Sequence, residues 1–120
     1  MAHKTGQALI DESKGQIEEV TPEQVLEMQA RNERVVYLDV REPNEWNLGR
    51  LPHAIHLPRG NLETKVEGMI DRAQRVVIYC ARGNRSALAA VTMKQMGYDN
   101  GASMARGFQG WEDIGGGVAE

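Results

Sequence analysis

The chain alternates short, almost unbroken apolar runs with longer stretches in which apolar residues return every three or four positions. The densest runs are Val35-Val36-Tyr37-Leu38-Asp39-Val40 and Val76-Val77-Ile78-Tyr79. Runs without polar alternation, rich in β-branched and aromatic residues, predict strands buried on both faces of a parallel sheet. Asp39 interrupts the first of them near its carboxyl end, where ligands sit in open α/β sheets. Residues 17–20 read as a short edge strand, 54–57 as a third strand bounded by Pro52 and Pro58, and 102–104 as the last.

Helical spacing fills the intervals. Thr21, Pro22 and Gln24 predict an N-cap, a first helical residue and a capping box for a helix ending near Asn32. Residues 41–49 read as a loop and a short helix stopped by Gly49. Asn61 is placed to cap a helix carrying Leu62, Val66, Met69 and Ile70 on one face. The Ala-rich run from Ala87 closes at Gly97, and Phe108, Trp111 and Ile114 share a face of a terminal helix before Gly115-Gly116-Gly117. Strands alternating with helices predict an α/β fold, with one domain over residues 17–120, about five parallel strands and helices on both faces. Residues 1–16 are polar apart from Leu9-Ile10 and read as a flexible N-terminal arm.

Composition narrows the possible functions. The 120 residues suffice for one core and not for two. The formal net charge is −3, with both signs interspersed. No basic stripe points to nucleic acid, and no polybasic or amphipathic run points to a membrane surface. Apolar runs of about five residues fall short of the ~20 needed to span a bilayer. The N-terminus lacks the apolar core of a signal peptide, so a cytoplasmic location is expected. Cys80 is the only cysteine. That excludes an internal disulfide and a multi-cysteine zinc site, and it leaves a free thiol.

The thiol lies in Cys80-Ala81-Arg82-Gly83-Asn84-Arg85-Ser86, between the second apolar run and the Ala-rich helix. A loop in that position presents successive backbone N–H groups to its centre. The positive end of the helix dipole stands behind it, and Arg82 and Arg85 add charge. A cysteine there is expected to be nucleophilic at neutral pH.

The pieces together resemble the rhodanese domain family. Leu38-Asp39-Val40-Arg41-Glu42-Pro43, followed by Glu45-Trp46 and Gly49, is similar to the family's first signature. Leu51-Pro52-His53-Ala54-Ile55-His56-Leu57-Pro58 resembles its I-P-G-A-x-x-x-P segment. Cys80-x-x-Gly83-x-Arg85-Ser86 resembles its active-site loop, and Gly97-Tyr98 through Gly107 to Trp111 its closing segment. The resemblance implies sulfur transfer: Cys80 takes a sulfane sulfur from a donor such as thiosulfate, becomes a persulfide, and passes the outer sulfur to a thiophilic acceptor. It implies a small anionic donor, a thiol or cyanide acceptor or a protein sulfur acceptor, and no metal or organic cofactor. Arg85, Arg82, Ala81, Gly83, Asn84 and Ser86 would bind the substrate. Asp39 would support the loop by pairing with a nearby arginine, and Arg41 with Glu45 would form a structural ion pair.

The chain departs from the family pattern at three positions. Arg50 stands where the family has His, His53 where it has Gly, and Arg106 where the first of two closing glycines is expected. These bear on local turn geometry and, if Arg50 or Arg106 lies at the loop mouth, on preference for anionic partners. His3, His53 and His56 have no motif partners, Trp46, Phe108 and Trp111 read as core anchors, and the scattered methionines fill gaps. Two rival functions remain. A phosphatase or arsenate reductase also sets a thiolate in a loop ending in Arg, but with five intervening residues where this chain has Ala81 to Asn84. The other rival is a non-catalytic module that keeps the fold.

Overall fold

A computed structural model describes residues 2–120. Five strands form one fully parallel sheet: β1 (Glu18–Val20), β2 (Val36–Asp39), β3 (Ile55–His56), β4 (Val76–Tyr79) and β5 (Gly101–Met104), in the order β1-β5-β4-β2-β3. The two runs with the densest apolar character are β2 and β4, neighbours in register from Val36↔Val76 to Asp39↔Tyr79. They are central because they alone have apolar side chains to bury on both faces.

Strand alternation divides those side chains into two cores. Leu38, Val40, Val76, Ile78 and Cys80 face one side, where they meet Leu57, Leu62, Val66 and Ile70 together with Ala89, Ala90, Met93 and Tyr98. The last four belong to α5 (Asn84–Gln95) and the turn after it. Tyr37, Val77, Tyr79, Ala102 and Met104 face the other side, against Val25 of α2 (Pro22–Ala30) and Phe108 and Trp111 of α6 (Gly107–Asp113). Helices therefore cover both faces of a single α/β domain, as the alternation predicts.

Local signals hold where the chemistry is specific. Thr21 Oγ1 accepts from the Gln24 N–H at 3.1 Å, and the Gln24 side chain accepts from the Thr21 N–H at 2.7 Å. This is the predicted capping box, worth about 1 kcal/mol.

Two expectations are corrected. Residues 6–16 of the expected arm form a helix, α1 (Gly6–Gln16), capped by Thr5 and packed on α5; Met1 lies outside the described residues. The helix shows no apolar stripe: its buried side chain is the small Ser13, while Leu9 stays exposed. Lys94 Nζ also donates to the Gln16 carbonyl at 3.1 Å. The helix expected from Asn61 to Ile70 is broken into a 3₁₀ turn at Arg59–Asn61, the single turn α4 (Leu62–Lys65) and another 3₁₀ turn at Val66–Gly68. The Asn61 side chain makes no cap. Leu62, Val66 and Ile70 are nonetheless buried, whereas Met69, expected on the same face, is exposed, so the apolar spacing identified most of the inward face and not the helix type.

Candidate active site

Cys80 follows the carboxyl end of the central strand β4 and is 1% exposed. The chain then turns through Gly83, whose φ of +93° is the left-handed region that glycine enters without strain. Helix α5 begins at Asn84, within the motif and three residues before the Ala-rich run, so Asn84, Arg85 and Ser86 form its first turn. N–H groups in a first turn have no partner inside the helix. Here that of Ser86 donates to Cys80 Sγ at 3.4 Å and that of Gly83 at 3.1 Å. Ser86 Oγ lies 3.5 Å from the same sulfur. A thiol buried merely to fill space needs no such donors, and a sulfur carrying negative charge does.

A second helix fixes the loop's carbonyls. The first N–H groups of α6 are taken by the loop, Phe108 N donating to the Cys80 carbonyl at 2.8 Å and Gln109 N to the Ala81 carbonyl at 3.0 Å. With those carbonyls engaged outward, the N–H groups are left for the sulfur. Close approach requires Gly107 at φ +54°, because a Cβ there would meet Cys80 O at 2.4 Å and the backbone of Ala81 and Arg82 at 2.7 Å.

The charges sort differently from the expected pairs. Arg41 does not pair with Glu45. It is buried beside Asp39, with Nε and Nη2 on the carboxylate at 2.8–3.1 Å, Nη2 on the Gly49 carbonyl at 2.7 Å, and the guanidinium 4.5 Å from the Phe108 ring centre. Burial, the largest single effect, opposes its charge, but the hydrogen bonds to Asp39 together with the attraction of Asp39, Tyr79 and Glu45 outweigh it, and its pKa is raised. The expected pairing of Asp39 with a nearby arginine is thus met by Arg41, which lies two residues further on.

Glu45, on α3 (Pro43–Leu48), instead engages Arg85 through both oxygens, at 2.7 and 3.1 Å. The hydrogen bonds from Arg85 hold the Glu45 carboxyl at about 2, well below its ordinary 4.5, against a smaller opposing effect of burial. The Glu45 hydrogen bonds in turn raise Arg85. Arg85 is therefore braced to α3. Arg82 is exposed and makes no ion pair among the described residues. Ala81 and Asn84 are half-buried, and no side-chain contact ties either to the sulfur.

The three departures from the family pattern keep their turns. His53 and Arg106 adopt φ of +68° and +63°, the conformation a glycine would take, at a steric cost of about 1 kcal/mol each. The Arg106 side chain reaches away to Glu23 on α2 at 2.7 Å, while its backbone N would lie 3.2 Å from a Cβ on Gly83. Arg50 stacks over Trp46 at 4.3 Å and pairs its backbone with Ala119. His56 also stacks on Trp46, at 4.7 Å, and its Nε2 lies 2.8 Å from the Arg41 carbonyl oxygen.

Sequence reasoning missed two contributors. Glu45 as the brace of Arg85 was signalled only by spacing, three residues after the N-cap of a short helix. Ser103, on β5, carried no signal beyond being a polar residue in a strand otherwise made of small and apolar ones; its Oγ lies 2.8 Å from Ser86 Oγ.

Among the described residues no helix is long and apolar enough to cross a membrane, and no group of three or more His, Cys, Asp or Glu could hold a metal ion. The chain matches the rhodanese-like domain family over residues 21–114. It is 32% identical over 97 residues to thiosulfate sulfurtransferase GlpE of Actinobacillus succinogenes, covering 81% of this chain and 86% of that protein. It is 29% identical over 100 residues to a longer protein of Bacillus subtilis, covering 83% of this chain but only 54% of that relative, about half its length. A solved structure from Rhodopseudomonas palustris, described as a protein of unknown function and possible tyrosine phosphatase, superposes with a TM-score of 0.87 at 31% identity, covering 99% of this chain and 97% of that one. With the match spanning β2 through α6, the cysteine loop between them included, the chain belongs to the rhodanese-like domain family.

Proposed function

We propose that the chain is a sulfurtransferase that carries a sulfane sulfur on Cys80. The Cys80 thiolate attacks the outer sulfur of a small anionic donor such as thiosulfate. The new S–S bond forms as the donor's S–S bond breaks, and sulfite leaves with the electron pair. A thiophilic acceptor, cyanide or a thiol, then attacks the terminal sulfur of the persulfide and regenerates the Cys80 thiolate. The sulfur electrophile is soft, so no general base is needed once the sulfur nucleophile is anionic. The observation that carries this reading is the pair of N–H groups, Gly83 at 3.1 Å and Ser86 at 3.4 Å, converging on a sulfur with almost no exposure. They stabilise sulfur charge before and after the transfer. The enclosure favours a slender donor that offers a single terminal sulfur.

In this reading Arg82, exposed and unpaired among the described residues, meets the charge of the incoming donor, whereas Arg85 holds the loop in shape through Glu45. A phosphatase reading gains weight from the similarity to the Rhodopseudomonas palustris protein. Two observations weigh against it. Only four residues separate Cys80 from Arg85, and the Arg85 fork that would clamp a phosphoryl group already holds both Glu45 oxygens.

Intact mass after incubation with thiosulfate tests the proposal. The expected result is a gain of one sulfur atom, removed by cyanide and absent in Cys80→Ser. Failure of Cys80 to take sulfur from thiosulfate or other sulfane donors overturns it, and Cys80-dependent hydrolysis of an aryl phosphate would establish the rival chemistry.

A further inference from the structure

Beneath the loop, Ser103 of β5 is fully buried on the sheet face that α5 covers, opposite Ile78 in register and on the side of the sheet from which Cys80 also projects. That face is otherwise apolar, and an apolar side chain of similar size would satisfy packing as well. A hydroxyl buried there needs a partner, because an unpaired one is costly. Its partner among the described residues is Ser86 Oγ, itself fully buried, at 2.8 Å; Ser86 Oγ in turn lies 3.5 Å from Cys80 Sγ.

The three groups form a line with two links, and the direction of each link depends on where the hydrogens are. With a neutral thiol, S–H donates to Ser86 and Ser86 donates to Ser103. With an anionic sulfur, thiolate or persulfide, the sulfur has no hydrogen and both links reverse: Ser103 O–H donates to Ser86, and Ser86 O–H donates to the sulfur. In the anionic arrangement Ser103 spends its only hydrogen on its only acceptor. If the Ser86 hydroxyl instead rotated toward Ser103, two hydrogens would compete for one link. Ser103 thus locks the Ser86 hydroxyl toward the sulfur and, by donating to it, polarises its O–H further.

We infer that Ser103 is a positioning residue that orients the Ser86 hydroxyl toward an anionic sulfur on Cys80, through the Ser103–Ser86–Cys80 line of oxygens and sulfur. The inference rests on the reading of Cys80 as a sulfur carrier. The charged groups around the sulfur are Arg85 with Glu45 from α5 and α3, Arg82 in the loop, the Asp39–Arg41 pair at the end of β2, and Arg106 with Glu23 at the start of α6. None of these hydrogen-bonds to the Ser103 side chain, so a change at Ser103 that leaves the fold intact reports on the hydroxyl line.

The test uses the single cysteine. Thiolate absorbance in the ultraviolet is titrated in the full chain and in Ser103→Ala, with Cys80→Ser subtracted to remove the tyrosines. In Ser103→Ala the thiolate midpoint is expected to rise by roughly half to one pH unit, and the rate of sulfur loading from thiosulfate near neutral pH to fall about 3- to 10-fold. Ser103→Thr, which restores a hydroxyl, is expected to return both toward the parent values. A midpoint and loading rate unchanged in Ser103→Ala overturn the inference. So does an equal loss in Ser103→Thr and Ser103→Ala with intact thermal unfolding. If the parent protein itself takes no sulfur from sulfane donors, the sulfur-carrier reading fails instead, and the titration still reports whether Ser103 acts on the thiolate.

Discussion

Replacing Gly107 by Ala probes the contact that shapes the loop from below. An added methyl group would sit 2.4 Å from Cys80 O and 2.7 Å from the backbone of Ala81 and Arg82, against the 3.0 Å that real Cβ atoms respect. All three neighbours are backbone atoms, so no flexible side chain can yield. The loop must therefore retreat from α6 by more than half an ångström (3.0 less 2.4 is 0.6 Å), which strains the bonds from Phe108 N to Cys80 O and from Gln109 N to Ala81 O. Placing a Cβ at φ +54° costs about 1 kcal/mol, and forcing atoms into a filled space typically costs about 1–3 kcal/mol. Weakened bonds to the two carbonyls add up to about 1 kcal/mol each. The expected loss is about 2–6 kcal/mol, a large part of the roughly 5–15 kcal/mol stability of a typical domain. Equilibrium unfolding in urea measures it, and sulfur loading by intact mass, run where the variant is folded, reports the shape of the loop. Gly83→Ala has similar backbone strain at φ +93° but its nearest contact is 3.2 Å, so its cost should be the smaller. Gly15→Ala, in α1 with nothing within 4 Å of the new carbon, should raise stability by up to about 1 kcal/mol. A Gly107→Ala protein as stable as its parent, or more stable than Gly83→Ala, would refute the reasoning.

Other outcomes follow from the charges. Asp39→Ala leaves the buried Arg41 guanidinium without its carboxylate and should cost about 3–5 kcal/mol in denaturant unfolding; a loss under 1 kcal/mol would mean that the Gly49 carbonyl and the aromatic rings suffice for Arg41. Glu45, depressed to about 2, contributes stability that is fully present above its ordinary pKa of 4.5 and disappears as pH falls through 2. Because the pair is partly open to solvent, that contribution is about 1 kcal/mol. Glu45→Gln should remove it, so the gap in stability between parent and variant narrows between pH 4.5 and 2, as acid titration of thermal unfolding would show; a gap independent of pH over that window contradicts the assignment. Arg106→Ala should leave the thiosulfate KM of the protein unchanged, since the Arg106 side chain is spent on Glu23; a raised KM would place its charge at the mouth of the site.

Elements whose signals are local chemistry were legible in the sequence. The capping box at Thr21, the glycine within the cysteine loop just before α5 and the two unbroken apolar strands each have one structural solution compatible with their residues. What was not legible depends on partners distant in sequence. Nothing in the local pattern says that Glu45 meets Arg85 across 40 residues rather than Arg41 across four. The difference comes from Asp39, which captures Arg41 at the strand end and turns it toward the Gly49 carbonyl. Helix α1 escaped notice for the opposite reason: the side chain it buries is a serine, and the periodic apolar face that marks a helix is missing. Ser103 looked like an ordinary polar residue in a short strand, and its position beside Ser86 exists only once β5 lies next to β4.

These long-range pairings decide how charge is used at the sulfur. Two arginines in the motif invite the view that cationic side chains stabilise the anion, yet one of them is answered by a carboxylate held at about 2 and so still ionised well into acid. The Arg85–Glu45 pair brings almost no net charge to the loop. What remains close to the sulfur is uncharged: two backbone N–H groups and a hydroxyl, within 3.1–3.5 Å. The two N–H groups keep their orientation whether the sulfur is a thiol, a thiolate or a persulfide, since they are fixed by the first turn of α5 and the Gly107 contact, while the hydroxyl turns toward the sulfur only when the sulfur is anionic. A fixed cation beside the sulfur would hold the departing sulfite as firmly as the arriving donor. In the proposed sulfur-carrier reading, moving that cation outward to Arg82, which is exposed, would let the donor be attracted and the product released without altering the cradle that would hold the sulfur between the two transfers.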